Sequence, residues 1–338
     1  RDQRVTDLFI PVIYGHSKVA SYHRKSLDIG EFNFNVVKNA DSALEKKVNL
    51  INCYEHDVKI ELGKSTQIAG ELALDALKRA VEDIKKGSID AIVTAPINKE
   101  NIQSKDFEFP GHTEFFASAF NSDQHMMLMI SKSLRVGVVT GHLPLRDVAD
   151  RITPELVEGK IRILNDSLIR DFGIRKPKIA VLGLNPHAGE SGLLGDEEEK
   201  IIKPCIKKIQ DENLLIYGPF PADGFFGSND YKQFDAILAM YHDQGLIPFK
   251  SLAFDSGTNF TAGLPVVRTS PGHGTAYDLA GKDEANPQSM LAAIYAAIDI
   301  TNNRNLYDEI SENPLPMSAE IEGQEDESPD LTEEDNND

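Results

Sequence analysis

The chain of 338 residues has no tryptophan and only two cysteines, Cys53 and Cys205. Two cysteines so far apart in the sequence give no reason to expect disulfide bonds. Long apolar runs are missing too: none approaches the roughly 20 residues that span a bilayer, and the first residues lack the basic-then-apolar pattern of a signal peptide. These absences predict a cytoplasmic protein that does not enter a membrane.

Basic residues are scarce. The chain has 35 lysines and arginines against 54 aspartates and glutamates, which gives a net charge of −19. Residues 318–338 contain ten acidic residues and no lysine or arginine. Neither this segment nor the rest of the chain offers a basic surface for nucleic acid or anionic lipid. The composition of 318–338 predicts a disordered acidic tail, which either solvates the protein or serves as an interaction segment.

Several sequence motifs for cofactors are absent. No GxGxxG follows a predicted strand, no GxxxxGK[ST] occurs, and neither CxxC nor HExxH is present. The residues by themselves therefore indicate neither a Rossmann dinucleotide site nor a P-loop.

Strand-like runs alternate with helix-like segments along the chain. We predict strands at 7–14, 89–95, 134–140, 178–184 and 235–240, helices beginning at Thr66, Thr153 and Asn286, and one helix with a kink at Pro204. This alternation predicts the α/β class, with parallel sheets covered on both faces. Because 338 residues exceed the size at which one core keeps growing, we expect two lobes.

Three histidines share one kind of position. His142, His187 and His242 each follow a predicted strand directly, in loops that also contain glycine, proline or aspartate. Because the carboxyl ends of parallel strands meet at one edge of a sheet, these loops can be neighbours. A single loop histidine is more often an ordinary surface residue, but three in the same topological position favour a shared role.

Three neutral imidazoles bind a divalent ion and leave coordination positions open, as in a catalytic metal site. A ligating histidine usually donates its second ring N–H to an acceptor, and Asp147 and Asp243 are the nearby candidates. His273, between two glycines, fits either a turn near a ligand or a structural turn.

A polar series follows His242. Lys250, Asn259 and Arg268 lie in or beside a loop-like, glycine-containing stretch. Cations beside a metal suit a phosphate or carboxylate ligand, which would accept charge-assisted hydrogen bonds from them. Taken singly, each of these residues is better explained as a solvated surface side chain. Together with the histidines, the residues alone indicate a metal site beside an anion site.

Five motifs in the same order resemble the 4-hydroxythreonine-4-phosphate dehydrogenase family of pyridoxal 5′-phosphate biosynthesis. They are GHTEF at 111–115, HLPLRD at 142–147, GLNPHAGE at 183–190, AMYHDQG at 239–245 and HGTA at 273–276. The resemblance runs from about Phe9 to about Asn303. It departs in Gly141 and in Pro271-Gly272, where the family has other residues, and in a Gly-rich N-terminal segment of the family that this chain does not include.

The resemblance implies a function. We expect NAD-dependent oxidation of 4-phosphooxy-L-threonine to 2-amino-3-oxo-4-phosphooxybutanoate, which decarboxylates to 3-amino-2-oxopropyl phosphate. It implies that His142, His187 and His242 bind one divalent metal ion per site, with zinc favoured and cobalt or magnesium as alternatives. The implied substrate-binding residues are His112, Thr113, Lys250, Asn259 and Arg268.

The resemblance also implies the architecture. It predicts two α/β domains akin to those of isocitrate and isopropylmalate dehydrogenases, which bind NAD without the Rossmann motif. Residues 1–105 and 270–317 would form the first domain, and residues 106–269 would form the second, with the metal site and the dimer interface. We expect a homodimer with a shared active site, in which His242 comes from the partner subunit.

Three other functions remain open at this point. A paralogous dehydrogenase would oxidise threonate or erythronate 4-phosphate, and a metal-dependent hydrolase or aldolase would use the same open site. A non-enzymatic binding protein would act through its acidic tail. The sequence does not assign a general base, for which Asp243 and residues 96–99 are candidates.

Overall fold

The computed structural model describes residues 3–30, 32–55 and 58–313. The predicted acidic tail at 318–338 lies outside the described residues. Within them the α-helices are α1 (Gln3–Leu8), α2 (Ser17–Ser26), α3 (Gln67–Lys85), α4 (His112–Ala119), α5 (Val148–Arg151), α6 (Pro154–Arg170), α7 (Lys203–Gln210), α8 (Ala222–Gly227), α9 (His242–Ala253) and α10 (Gln288–Ser311). The strands are β1 (Val12–Gly15), β2 (Asn35–Val37), β3 (Asn49–Asn52), β4 (Ala91–Val93), β5 (Met126–Ile130), β6 (Arg135–Val138), β7 (Lys178–Leu182), β8 (Leu215–Phe220), β9 (Ala236–Ala239), β10 (Thr258–Ala262) and β11 (Val267–Pro271).

The large sheet has eight strands in the order β4-β11-β10-β5-β6-β9-β7-β8. Strands β6, β9, β7 and β8 are parallel to one another, and β4 is parallel to β11, but β10 and β5 each pair antiparallel with both of their neighbours. The predicted parallel pairing is therefore confirmed for β6, β9, β7 and β8 and is wrong for β5 and β10. The reason is that β5 and β6, like β10 and β11, are joined by short hairpins without a crossover helix.

A separate sheet of three parallel strands, in the order β1-β3-β2, lies near the start of the chain. The strand predicted at 7–14 is only partly correct, because α1 contains Asp7 and Leu8 and the strand begins at Val12. A short apolar run fits a buried helix end as well as a strand, so its composition could not separate the two.

Most of the predicted helices are confirmed. Thr66 caps α3 by accepting a hydrogen bond from the Ala69 N–H, and Thr153 caps α6 through the Leu156 N–H. The helix predicted from Asn286 is α10. Pro204 lies in the first turn of α7, where proline is tolerated, and the irregularity takes the form of a π-helical turn just before it.

Helices cover both faces of the large sheet. Helices α6, α7 and α10 pack on one face around a core that includes Ile161, Leu164 and Ile206. Helices α8 and α9 pack on the other face through Phe225 and Phe249. The α/β class is thus confirmed. The sheet contains strands from both predicted domains, and the domain boundaries stay a prediction.

A cavity of about 1920 Å³ separates the two sheets, and residues of β1, β4, α3 and α10 line it. Thr94 and His112 also line this cavity, so it reaches the polar residues described below. No helix in the described ranges is both long enough and apolar enough to cross a membrane.

Candidate active site

The three histidine loops lie side by side. His142 follows β6, His242 follows β9 and His187 follows β7, and these three strands are parallel neighbours in the order β6-β9-β7. Parallel neighbours end at the same edge of the sheet. The predicted proximity of the loops is therefore confirmed.

His142 and His242 are the two of these histidines whose rings meet. Their ring centroids are 5.6 Å apart, with an angle of 41° between the ring planes. His187 is exposed and begins a turn with positive φ angles. In the part of the chain that the structure describes, no three His, Cys, Asp or Glu side chains form a group that could hold a metal ion. The assignment of all three histidines to one ion stays a prediction.

A carboxylate lies beside each of the His142 and His242 rings. Nδ1 of His242 lies 2.7 Å from Oδ1 of Asp243, as predicted for an acceptor of the second ring nitrogen, and no residue of the described ranges forms a hydrogen bond with Nε2. Asp147, the other candidate, lies 3.5 Å from Nε of Arg146 instead.

Glu114, which sequence reasoning did not single out as a site residue, takes the corresponding place beside His142. Its Oε1 is 3.8 Å from Nδ1 of His142, and His142 is the main cause that lowers the pKa of Glu114. The other oxygen, Oε2, is buried and has no hydrogen-bond partner in the described chain. Only its position inside the GHTEF motif at 111–115 could have indicated this role from the sequence.

The donor types of these two histidines suit a divalent ion. The rings of His142 and His242 present imidazole nitrogens, which are donors of the kind that bind zinc or a similar dication. The acceptor on His242 is the arrangement that holds a ligating imidazole in one orientation.

Arg268 is a buried cation without an ion pair. It lies on β11 with 2% of its surface exposed, and no carboxylate of the described residues forms a salt bridge with it. Its guanidinium donates to Oγ1 of Thr94 at 2.7 Å and of Thr261 at 3.4 Å, while Nε is buried without a partner. Burial lowers the pKa of Arg268 to about 10, so the side chain is still cationic at neutral pH.

Two further substrate-binding candidates also have unsatisfied buried atoms. Nε2 of His112 and Oδ1 of Asn259 are buried without a hydrogen-bond partner in the described chain. Burial, with a smaller contribution from the charge of Arg268, lowers the pKa of His112 to about 3, so its ring is neutral. His112 and Thr113 form the first turn of α4, whose N-cap residue Gly111 supplies no side-chain hydrogen bond. Backbone N–H groups in such a turn favour an anion.

Alternation along β10 places Asn259 and Thr261 on one face of the sheet, and Thr261 contacts Arg268. Arg268, His112, Asn259 and the start of α4 therefore supply several unsatisfied polar groups. A phosphate or carboxylate would satisfy the donors among them.

Lys250 is not joined to this group by any contact in the described chain. It is exposed in the last turn of α9, and together with His273 it lines a small cleft of about 60 Å³. The predicted role of Lys250 in substrate binding stays a prediction.

Comparison with known proteins identifies the family. The sequence pattern of the family described as "Pyridoxal phosphate biosynthetic protein PdxA" matches residues 7–297. The chain belongs to the PdxA family. A 4-hydroxythreonine-4-phosphate dehydrogenase from Bacteroides thetaiotaomicron is 51% identical over 315 residues, which cover 93% of this chain and 86% of that protein.

A solved structure of the same family and a relative named for a different substrate are also similar to this chain. The crystal structure of a 4-hydroxythreonine-4-phosphate dehydrogenase from Klebsiella pneumoniae matches with a TM-score of 0.75 and 33% identity, covering 86% of this chain and 88% of that one. A protein from Oceanobacillus iheyensis named as a D-threonate 4-phosphate dehydrogenase is 38% identical, over 89% of this chain and 91% of that protein. This PdxA-family chain is therefore an oxidoreductase, a dehydrogenase of pyridoxal phosphate biosynthesis.

Proposed function

We propose that this chain oxidises 4-phosphooxy-L-threonine with NAD and a divalent metal ion, preferably zinc, in a homodimer with a shared active site. In the net reaction the hydrogen on C3 leaves as hydride to the oxidised nicotinamide, and the C3 hydroxyl proton goes to solvent. The product, 2-amino-3-oxo-4-phosphooxybutanoate, then loses carbon dioxide to give 3-amino-2-oxopropyl phosphate.

The buried, unpaired guanidinium of Arg268 carries this proposal. Burying a charge without a counter-ion costs free energy, which an anionic substrate offsets when it binds. His112 is neutral and would donate one hydrogen bond to the same anion without adding charge. Thr113, Asn259 and Lys250 complete the proposed substrate-binding set.

His142, His187 and His242 are the residues that would hold the metal ion, and Asp243 would keep the His242 ring in place. A bound divalent ion supplies Lewis acidity, which lowers the pKa of a nearby hydroxyl group. The anion-binding residues contribute by fixing both ends of the substrate and so positioning its reacting carbon.

The shared site of the dimer is supported by the apolar surface around the histidines. The exposed leucine and isoleucine side chains here lie on the same three segments as the histidines: Leu143, Leu145, Leu193, Leu194 and Ile247. Clustered exposed apolar side chains are typical of a surface that another protein covers. A second copy of this chain would bury them and bring its own histidines to the same edge.

The decisive test is an activity measurement. Adding NAD and 4-phosphooxy-L-threonine to the purified protein should generate reduced nicotinamide, followed by its near-ultraviolet absorbance. A chelator should abolish the signal, and added zinc or cobalt should restore it. No reduced nicotinamide with any divalent metal would reject the proposed reaction.

A second candidate substrate is threonate 4-phosphate, because a relative carries that name. The two substrates differ at C2, which bears an ammonium group in one and a hydroxyl in the other. The unpartnered Oε2 of Glu114 is an acceptor that suits the ammonium. We therefore expect higher kcat/KM for 4-phosphooxy-L-threonine when both compounds are tested side by side, and a reversed order would favour the second candidate.

A further inference from the structure

The turn that begins at His187 has an unusual backbone. Five consecutive residues, His187 to Ser191, have φ angles of 54°, 50°, 79°, 43° and 56°. Four of the five carry a Cβ atom, for which the left-handed region is unfavourable, and consecutive residues in this region are rare. Such a turn persists only when the surrounding structure holds it in place.

Glu198 holds this turn in place. It is completely buried, and its two oxygens accept hydrogen bonds from the backbone N–H of Asn185 at 2.7 Å and from the side-chain amide of Asn185 at 3.0 Å. Asn185 is the residue directly before the Pro186–Gly192 turn. Glu198 itself is fixed by the π-helical turn at Glu198–Ile202, which packs against this loop.

The carboxylate of Glu198 packs closely against the backbone of this loop. A Cβ atom on Gly189 would lie 2.6 Å from Oε2 of Glu198, and one on Gly183 would lie 3.1 Å from Oε1. The two glycines thus give the backbone room to close around the carboxylate. Glu198 therefore touches the loop both before and after His187.

A neighbouring side chain connects this loop to the His242 loop. Gln244 donates to the carbonyl of Gly183 at 2.6 Å and accepts from the N–H of Met240 at 2.7 Å. The ends of β7 and β9 are thereby joined. Within one chain, the loop that carries His187 is thus held by the contacts of Glu198 and Gln244.

We propose that Glu198 is a positioning residue for metal binding: it holds the left-handed turn that presents His187 to the ion. This inference rests on the proposed function, in which His187 is a ligand. Glu198 does not contact the ion. A side chain that orients a metal ligand in this way typically changes affinity by about 10- to 100-fold when it is replaced.

The test is a titration of the metal-free full chain with cobalt(II), followed by its visible absorbance. Glu198→Gln replaces one acceptor oxygen with an NH₂ group that faces the donors of Asn185, and we expect binding to weaken by at least about 10-fold. The matched control is Glu199→Gln, which changes the same charge on the next residue, an exposed one. It should bind cobalt like the wild type.

Thermal unfolding of the metal-free proteins shows whether each variant is folded. A folded variant with weakened cobalt binding indicates positioning, whereas loss of the fold indicates a merely structural role. If Glu198→Gln does not fold, Asn185→Ala decides, since it removes the amide donor and keeps the backbone one. Wild-type cobalt affinity in a folded variant of this pair would overturn the proposal, provided that His187→Ala has lost the ion. If His187→Ala binds cobalt normally, the ligand assignment in the proposed function fails instead.

Discussion

Arg268 shows how a single residue can indicate a ligand. Its side chain is among the largest that are fully buried, yet the described residues give it two threonine hydroxyls and no carboxylate as partners. The ring of Phe116 lies 5.9 Å from its guanidinium carbon and offers a further weak attraction. A cation held this way is pre-organised for an anion that enters from outside.

Replacing Arg268 should therefore impair substrate binding and leave the metal in place. Arg268→Lys keeps the charge but loses the planar fork, and we expect it to weaken transition-state binding by about 1.5–3 kcal/mol, measured as kcat/KM. Elemental analysis should find wild-type metal content. Lys282→Ala, which removes an exposed base, is the control and should behave like the wild type. Unchanged kinetics in Arg268→Lys would contradict the anion-binding role.

His112 leads to a prediction about stability and pH. In the folded protein its pKa is about 3, against an ordinary value of 6.5. Below pH 6.5 the unfolded chain takes up a proton at this residue while the folded protein stays neutral. The free energy of unfolding is therefore fully maintained above pH 6.5 and falls as the pH drops towards 3, by at most about 2 kcal/mol between pH 6.5 and 5.

Urea unfolding of the metal-free protein at pH 7.5 and pH 5 tests this effect. His112→Asn should lose less stability than the wild type over this interval. His23→Asn is the control, because His23 is exposed on α2 and the wild-type pH dependence should persist there. An identical pH dependence in His112→Asn and the wild type would show that His112 does not titrate in this way.

At the scale of elements, helices α6 and α10 are joined by a buried ion pair. Nε of Arg304 donates to Oδ1 of Asp171 at 2.6 Å, and Ser167 donates to the other oxygen at 2.6 Å. Asn303 adds a hydrogen bond to the Asp171 carbonyl at 2.8 Å. Both charged side chains are almost fully buried, so each depends on the other.

Arg304→Met should destabilise the protein by about 3–5 kcal/mol, because it leaves the carboxylate of Asp171 buried and unpaired. Arg170→Met is a matched control. Arg170 joins the same two helices through Asp308, with 3.0 Å between the charged atoms, but both side chains are exposed. Loss of this pair should lower the free energy of unfolding by less than about 1 kcal/mol. Urea unfolding at pH 7.5 measures both. Equal effects would contradict the assigned importance of the buried pair.

At the scale of the whole molecule, the proposed metal site of the proposed homodimer raises the question of which chain would supply each histidine. The family resemblance led us to expect His242 from the partner. In one chain, however, the rings of His142 and His242 already meet at 5.6 Å, which favours these two as ligands from the same chain, with His187 from the partner. Both arrangements place His187 and His242 on different chains.

Subunit mixing separates these arrangements. His142→Ala, His187→Ala and His242→Ala should each lose the metal and activity by themselves. After exchange, a mixture of the His187→Ala and His242→Ala proteins should recover about a quarter of wild-type activity, because half of the dimers are mixed and each has one intact site. The control is a mixture of His23→Ala, which keeps all three ligands, with His187→Ala. It measures the activity expected when one of the two subunits is intact.

The remaining mixtures identify the partner's ligand. Recovery with His142→Ala and His242→Ala indicates His242, and recovery with His142→Ala and His187→Ala indicates His187. If no mixture recovers although exchange is complete, the ligands do not come from different chains. The shared site would then be rejected, while the three histidines could still bind one ion.

Local chemistry in the sequence was enough to determine several features of this protein. The spacing of Leu74, Leu77 and Ile84 and the cap at Thr66 define α3, because both depend only on residues within a few turns. The histidines after β6, β7 and β9 could likewise be assigned to one sheet edge, because any parallel strand ends at the same edge as its parallel neighbour. The family motifs, being continuous in sequence, could be recognised in the same way.

Only the tertiary structure decided the properties that depend on distant residues. Arg268 looks like an ordinary surface base in the sequence, and its burial follows from strands and helices that pack around it, with a hydrogen bond to Thr94, 174 positions away. The neutral state of His112 has the same origin, since burial and the charge of Arg268 lower its pKa. The hairpins that make the sheet mixed, and the contact of Glu114 with His142, also join segments whose distance no local pattern encodes. Burial and electrostatics are sums over all neighbours in space, which is why the sequence alone could propose candidate site residues but not predict their burial or their charge.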